Sequence, residues 1–559
     1  MSSATDVSKI TRRSLVAASA CAALRGAPAR RPNVIIVMMD DFGYGQFAPN
    51  AAALTQKDYD PAFVDFLARH KGDAPEVGLE YARRAMPTMT ALAGQGVVFT
   101  NAFSSSNLCA PARVGVLTGV QQNRYGFYQN EDVERVGLPQ GSVLAGRLQQ
   151  GGYATALVGK YHAGTRDESL RLGVMKKFGL APGALMKMDP AKRAEVDAEI
   201  RKTGYLGSTI PEHNPLKYGF DYYFGYNRWE CPFYDSEHIW EDRKYAGLQK
   251  EYNTDLFTGK ALDFIGRSRK QGKPFFLELC YHAVHGPLKP QAPARYFDQF
   301  KGATYNMQNF YAHVNGVDAG VAALKAELER AGEWENTLLM FCSDNGGSIN
   351  AASPLPGNAP FRGHKGSMLQ GGLHVPMMAH WPAGLKRNGR RAELASMLDL
   401  MPTALDAAGI AAPAGLDGRS LLPMLTGKAS RTHDTLAWAG MHARAWGFMA
   451  ETTIGAAEPR RDESPGGWVV TDGSFMMRFV GATPAGLFKD VPDGAPAMRE
   501  LYDMREDPGE RTNLIGKLPQ VAERLEKAYA AEAMKMPAPA RWRRDRWQEL
   551  MPAGHPEVK

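Results

Sequence analysis

The chain has 559 residues, 44% of them hydrophobic and 22% charged, with a formal net charge of +7. That length exceeds one small domain, and that balance excludes an intrinsically disordered chain. No run of about 18 or more apolar residues is present, which excludes a membrane-spanning helix, and the mild basic excess makes no case for a nucleic-acid partner.

The first element in chain order is a targeting candidate. TRRSLVAASACAAL (residues 11–24) sets paired arginines before a short apolar stretch, and GAPA (residues 26–29) offers small residues for cleavage after Ala29. The pattern predicts a twin-arginine export signal over residues 1–29 and a periplasmic or secreted location, against the plainer reading of a basic, disordered N-terminus. Cys21 raises a lipoprotein anchor, but Ala18 stands where that signal wants leucine. Without Lys9, Arg12, Arg13, Arg25 and Asp6 the formal charge falls from +7 to +4.

NVIIVMMDD (residues 33–41) is a continuous apolar run ending in Asp40 and Asp41, followed by the turn FGYG. CAPARVGVLTG (residues 109–119) predicts a short helix: Pro111 suits its first turn and Gly119 its end. Cys109 then lies at the helix N-terminus, where free N–H groups favour a bound anion, with Arg113 one turn along on the same face. YATALVGKYH (residues 153–162) ends in Lys160 and His162, FFLELCYHAVHGP (residues 275–287) in His282 and His285, and TLLMFCSDNGG (residues 337–347) in Asp344 and Asn345.

Apolar runs of this kind, separated by helical patterns, predict buried parallel strands. Ligands of open α/β sheets bind outside the carboxyl ends of such strands, and all four runs place their polar groups there. Asp40, Asp41, Asp344 and Asn345 are hard oxygen ligands, suited to calcium or magnesium rather than zinc. Neighbours such as Asp40 and Asp41 cannot both point inward from a regular strand, so a turn must free them. With the lysine, the histidines and a nucleophile, the set describes group transfer from an oxyanion ester.

The other cysteines are Cys231, Cys280 and Cys342, the last two in apolar runs that read as core; no CxxC pair indicates zinc or a disulfide framework. RWRRDRWQEL (residues 541–550) mixes arginine and tryptophan, a pattern found in nucleic-acid or polyanion binders, but it reads better as a solvated helix face with packed tryptophans.

These motifs, in this order, resemble those of type I sulfatases in the alkaline-phosphatase-like superfamily. CAPAR fits the C-x-P-x-R signature, the DD of MMDDFGYG the metal-binding start, GKYHAG (residues 159–164) G-K-W-H-x-G, and AVHGP (residues 283–287) A-P-H-x-P. SDNGG (residues 343–347) fits the second metal motif, and RGHKGSMLQGGLHVP (residues 362–376) the R-G-x-K segment with its glycine pair. HNPLKYGFDYYFGY (213–226), DLMPTALDAAGI (399–410) and ELYDMREDPGERTNL (500–514) agree as well, so the similarity runs from about residue 33 to 514. Tyr161, Val284, Gln370 and His374 depart from the usual tryptophan, proline, glutamate and arginine. These departures bear on the shape of the substrate pocket.

The resemblance implies a large, mixed, mostly parallel sheet flanked by helices, with a smaller C-terminal α+β domain carrying a short antiparallel sheet. The expected division is 1–29 export signal, 30–430 catalytic domain and 431–559 C-terminal domain, and WVVTDGSFMMRFV (residues 468–480) is the expected antiparallel segment. It implies that a formylglycine-generating enzyme oxidises Cys109 to formylglycine, an aldehyde whose hydrate attacks the sulfur of a sulfate ester and then expels sulfate. By the same resemblance, one calcium ion is expected to be held by Asp40, Asp41, Asp344 and Asn345 with the modified Cys109. The resemblance further implies that Arg113 and Lys160 hold the nucleophile, that His162 is the base for sulfate expulsion, that His285 is the acid for the leaving alcohol, and that Lys365 and Lys160 neutralise the sulfate oxygens. His282 reads as a packed loop histidine before a substrate contact.

The expected substrate is a sulfated carbohydrate. The motivating rim loops are NRYGFYQNED (123–132) and RWECPFYDSEHIW (228–240), with Tyr125, Phe127, Tyr128, Trp229, Phe233 and Tyr234 as candidate stacking faces and Asn130, Glu230 and Asp235 as polar partners, against the commoner reading in which such aromatics pack against the sheet. The alternatives are a broad arylsulfatase, a phosphatase or phosphonate monoester hydrolase on the same fold, and a non-catalytic glycan-binding protein.

Overall fold

The structure, a computed structural model, describes residues 31–141, 143–348, 357–386, 388–440, 466–482, 496–539, 547–548 and 550–558. The export-signal segment with Cys21, and most of the arginine–tryptophan run at 541–550, lie outside the described residues.

Among the described residues, fourteen of the strands form the two larger sheets. They are β1 (Asn33–Met39), β2 (Val97–Phe99), β3 (Ala154–Lys160), β4 (Tyr222–Tyr226), β5 (Trp240–Glu241), β6 (Lys244–Tyr245), β7 (Phe275–Cys280), β8 (Thr337–Ser343), β9 (Met377–His380), β10 (Gly389–Arg391), β11 (Leu436–Gly440), β12 (Gly467–Thr471), β13 (Phe475–Val480) and β14 (Met498–Asp503). The first ten form one sheet in the order β10-β2-β9-β8-β1-β7-β3-β4-β5-β6. Its centre, β8-β1-β7-β3-β4, is parallel throughout. The four apolar runs singled out in the sequence are therefore four adjacent strands, and their carboxyl ends form one edge.

Every residue of β1 is buried, because both faces of the sheet are covered. Val34, Ile36 and Met38 enter one core, and Ile35, Val37 and Met39 the other, as the strand's period of two requires. The helices that matter here are α1 (Cys109–Thr118), α2 (Asn130–Val136), α3 (Asn253–Lys270), α4 (Tyr305–Arg330), α5 (Leu400–Ala407) and α6 (Pro519–Ala533). Val114 and Leu117 of α1 pack with Leu400 and Leu405 of α5 on the first face. Phe257 and Phe264 of α3 pack with Val317 and Leu324 of α4 on the second.

The strands β11 to β14 form a separate antiparallel sheet in sequence order, and WVVTDGSFMMRFV supplies most of β12 and β13. Helix α6 covers this sheet, with the Tyr529 ring stacked on Trp468 at 4.2 Å. The sheet is tied to the larger one: Trp438 Nε1 donates to the Ser104 carbonyl at 2.8 Å, and the Gln370 N–H donates to Glu510 at 3.2 Å. Glu510 also faces the buried guanidinium of Arg478. No described helix is long and apolar enough to cross a membrane.

Candidate active site

Helix α1 begins at Cys109 and ends at Gly119, whose φ of 66° needs a residue without a side chain. Leu108 provides no side-chain cap, so the free N–H groups of the first turn look for another partner. One finds it in α2, where Asn130 Oδ1 accepts from the Ala110 N–H at 3.0 Å. Cys109 is fully buried, and burial pushes its thiol up to about 12 although Lys160 and Lys365 pull the other way. An unmodified thiol here is protonated at neutral pH and is a poor nucleophile.

The carboxyl ends of β1, β3, β7 and β8 bring the remaining groups together. Asp41 adopts a left-handed φ of 59°, the turn that lets it and Asp40 face one point. Among the described residues, Asp40, Asp41, Cys109 and His285 each place a ligand atom within 4.8 Å of the others. Asp344 and Asn345 stand beside that group. Asp344 Oδ1 accepts from the Asp41 N–H at 3.2 Å, and Asn345 Nδ2 donates to Asp41 Oδ1 at 2.8 Å.

Three cations answer the three carboxylates. Lys160 Nζ lies 2.5 Å from Asp40 Oδ2 and also donates to the Trp229 carbonyl at 2.8 Å. Lys365 Nζ lies 2.7 Å from Asp41 Oδ1. Arg113 donates from Nη2 and Nε to Asp344 Oδ2 at 2.8 and 3.2 Å, and from Nη1 to the Lys160 carbonyl at 2.9 Å. Burial would raise the Asp41 carboxyl, but Lys365 and then His285 outweigh it and hold it below the usual carboxylate range. Asp344 goes the other way, up to about 6, through burial and the neighbouring Asp40.

The donor set fits a hard divalent cation. Asp40 Oδ1 and Asn345 Oδ1 are buried oxygens without a hydrogen-bond partner among the described residues, and crowded carboxylates favour a cation between them. A zinc shell would want more nitrogen or sulfur.

The histidines differ in setting. His285 Nδ1 donates to the Gly286 carbonyl at 2.7 Å, which leaves Nε2 at 3.7 Å from Asp41 Oδ2. Burial, then Lys365, lowers it to about 3. His162 sits at a left-handed φ of 46° with Nε2 at 3.0 Å from Glu134 Oε1. Burial and then Lys160 push it well below its ordinary value. His282 is packed, with Nδ1 at 2.9 Å from the Tyr226 hydroxyl and its ring against Phe233.

The expected aromatic rim is corrected by this structure. Phe127 and Tyr128 are core residues, Tyr128 lying against Trp547, and Phe233 is buried between His282 and His313. Tyr125 and Tyr234 pack partly against the two cores. Trp229 alone of the six is open, at 41% exposure. Asn130 spends its side-chain oxygen on the Ala110 N–H of α1. Two site neighbours went unnoticed in the sequence. Ser343 Oγ accepts from the Phe42 N–H at 2.9 Å, and Glu134 meets His162. The polar end of β8 hints at the first; the second follows from helix docking that no local pattern records.

Architecture and site together define an alkaline-phosphatase-like fold, with the candidate groups gathered at the carboxyl edge of a mostly parallel sheet. The sulfatase family model matches residues 32–410, and the chain belongs to that family: it is a sulfuric ester hydrolase. It is 33% identical over 416 residues to the uncharacterized sulfatase YdeN of Escherichia coli K12, covering 73% of this chain and 68% of the relative. It is 27% identical over 442 residues to the N-acetylgalactosamine-6-sulfatase of Canis lupus familiaris, covering 74% and 69%. Among solved structures, Ps i-CgsB in complex with k-i-k-neocarrahexaose matches with a TM-score of 0.66 at 20% identity, over 92% of this chain and 95% of that one. BT4656 in complex with D-glucosamine-2-N,6-O-disulfate matches with a TM-score of 0.57 at 17% identity, over 91% and 98%.

Proposed function

We propose that this sulfatase removes sulfate from a sulfated carbohydrate, using formylglycine made from Cys109 by a formylglycine-generating enzyme and one calcium ion. The observation that carries the reading is the buried Cys109 at the N-terminus of α1, within 4.8 Å of ligand atoms of Asp40, Asp41 and His285. Formylglycine, once formed, supplies a hydrated aldehyde oxygen as the nucleophile toward sulfur and a second hydroxyl for sulfate release. Calcium, when bound by Asp40, Asp41, Asp344 and Asn345 with residue 109, supplies Lewis acidity at that oxygen.

The chain's own groups do the rest. Arg113 and Lys160 hold position 109 and its surroundings in register, since one guanidinium joins Asp344 to the backbone of Lys160. The ammonium groups of Lys160 and Lys365 offset charge on sulfate oxygens as it grows in the transition state. His285 gives a proton from Nε2 to the departing alcohol. An anionic ester beside it counters the burial and Lys365 that hold it neutral in the free protein. His162 takes a proton at Nδ1 when sulfate leaves.

Support for a sugar substrate comes from relatives named N-acetylgalactosamine-6-sulfatase, from neighbours in complex with k-i-k-neocarrahexaose and with D-glucosamine-2-N,6-O-disulfate, and from the open Trp229 whose carbonyl holds Lys160. The oxygen-rich shell does not favour a zinc phosphatase. The division at about residue 430 and export through residues 1–29 belong to the same proposal. The test is a screen of sulfated mono- and oligosaccharides with protein co-produced with the maturation enzyme. A matching glycan should exceed a simple aryl sulfate in kcat/KM by at least about tenfold, and Trp229→Ala should remove that gain while sparing the aryl sulfate. Exhaustive chelation should abolish both activities. Fast aryl sulfate turnover with no sulfate from any glycan would leave a general arylsulfatase.

A further inference from the structure

His162 has one nitrogen occupied and one free. Its Nε2 lies 3.0 Å from Glu134 Oε1, and its Nδ1 is buried with no hydrogen-bond partner among the described residues. A carboxylate only accepts, so a neutral imidazole facing it carries its single proton on Nε2 and its lone pair on Nδ1. The ring is held there at a backbone cost, since His162 occupies a left-handed φ of 46° that non-glycine residues rarely adopt.

Glu134 is itself placed by a firmly anchored helix. Asp132 Oδ2 accepts from the N–H groups of Tyr128 and Gln129 at 2.9 and 3.0 Å, fixing the first turn of α2. Asn130 reaches from the same turn to the Ala110 N–H. Asn130 and Glu134 are four residues apart and share one face. That face therefore touches α1 next to Cys109 with one side chain and the proposed base with the other.

We propose that Glu134 is a positioning residue for His162, holding the Nε2–H tautomer and keeping the Nδ1 lone pair free inside the site. Without the carboxylate the two tautomers lie close in energy, and the Nδ1–H form carries a proton where a base needs a lone pair. The inference rests on His162 being the base for sulfate release, and it adds the group that makes it one.

The test combines a spectroscopic and a kinetic readout. Long-range proton–nitrogen correlation spectra of protein labelled with nitrogen-15 histidine, in the unmodified thiol form, report the tautomer without any turnover. Wild type should show His162 as Nε2–H. Glu134→Ala should lose that signature, whereas Glu134→Gln, whose amide oxygen still accepts, should keep it. In matured protein, Glu134→Ala should lower kcat about 100-fold with KM within about threefold. Glu134→Gln should fall between, and the exposed helix control Val136→Ala should match wild type. If Glu134→Gln folds and Glu134→Ala does not, a Glu134→Gln variant that has lost the Nε2–H signature yet keeps a wild-type kcat would overturn the proposal. An unchanged Nε2–H signal in Glu134→Ala, or a kcat within twofold of wild type, overturns it as well. A wild-type enzyme with the expected tautomer but no sulfate release would sink the role of His162 as base and leave the positioning contact standing.

Discussion

Arg113 sits wholly out of water, its guanidinium shared between Asp344 and the Lys160 carbonyl. A buried ion pair of this kind contributes little beyond an apolar replacement of both partners, but removing one partner strands the other. Asp344 is the stranded group here, and it already sits at about 6 because of burial and Asp40. Arg113→Met should therefore destabilise the fold by about 3–5 kcal/mol in denaturant titration. Arg113→Lys should recover part of that, since one ammonium cannot reproduce both contacts. A loss below about 1 kcal/mol for Arg113→Met would mean that the pair is not uncompensated. Single residues of this kind were largely legible beforehand: the motif positions of Asp40, Asp41, Lys160, Asp344 and Lys365 do converge. The partner Glu134 was not, because nothing near His162 in the chain points to it, and Ser343 shows only as part of the polar end of β8.

The strands carry polar exceptions with consequences of their own. Glu278 lies in the middle of β7, flanked by Ile36 and Leu157, with Oε2 buried and unpartnered among the described residues. Burial raises its carboxyl from 4.5 to about 7, with Arg113 opposing. The folded chain thus holds this proton more tightly than the unfolded chain. Its contribution to stability is complete below about pH 4.5 and is lost as pH rises to about 7. Glu278→Gln removes the titration, so stability between pH 5 and 7 should decline less steeply in the variant, by roughly 2–4 kcal/mol over the window. Identical slopes in wild type and variant would rule this out. The strands themselves could be read from continuous apolar runs, because covering both faces of a parallel sheet demands such runs. Helix α2 reads from sequence as part of a rim, because its docking on α1 depends on contacts that its own residues do not encode.

For the whole molecule, two sheets cooperate at one edge. The larger sheet brings four strand ends together, and Glu510, which faces Arg478 of the C-terminal sheet, accepts from the N–H of Gln370. The aromatic rim failed as an expectation for a global reason: Tyr128 meets Trp547 and Phe233 meets His313, partners hundreds or tens of residues away. Local composition cannot separate such rings from sugar-stacking ones. What joins fold to function is Cys109, a buried thiol at a helix N-terminus whose ligand atom lies within 4.8 Å of those of Asp40 and Asp41. Peptide mass spectrometry of residue 109, taken on a preparation with measured sulfate release, tests this most directly. The account predicts that the sulfur is lost, that an aldehyde reactive toward hydrazine is present, and that activity rises in proportion to the converted fraction. Full activity in a preparation whose Cys109 remains an intact thiol would contradict it.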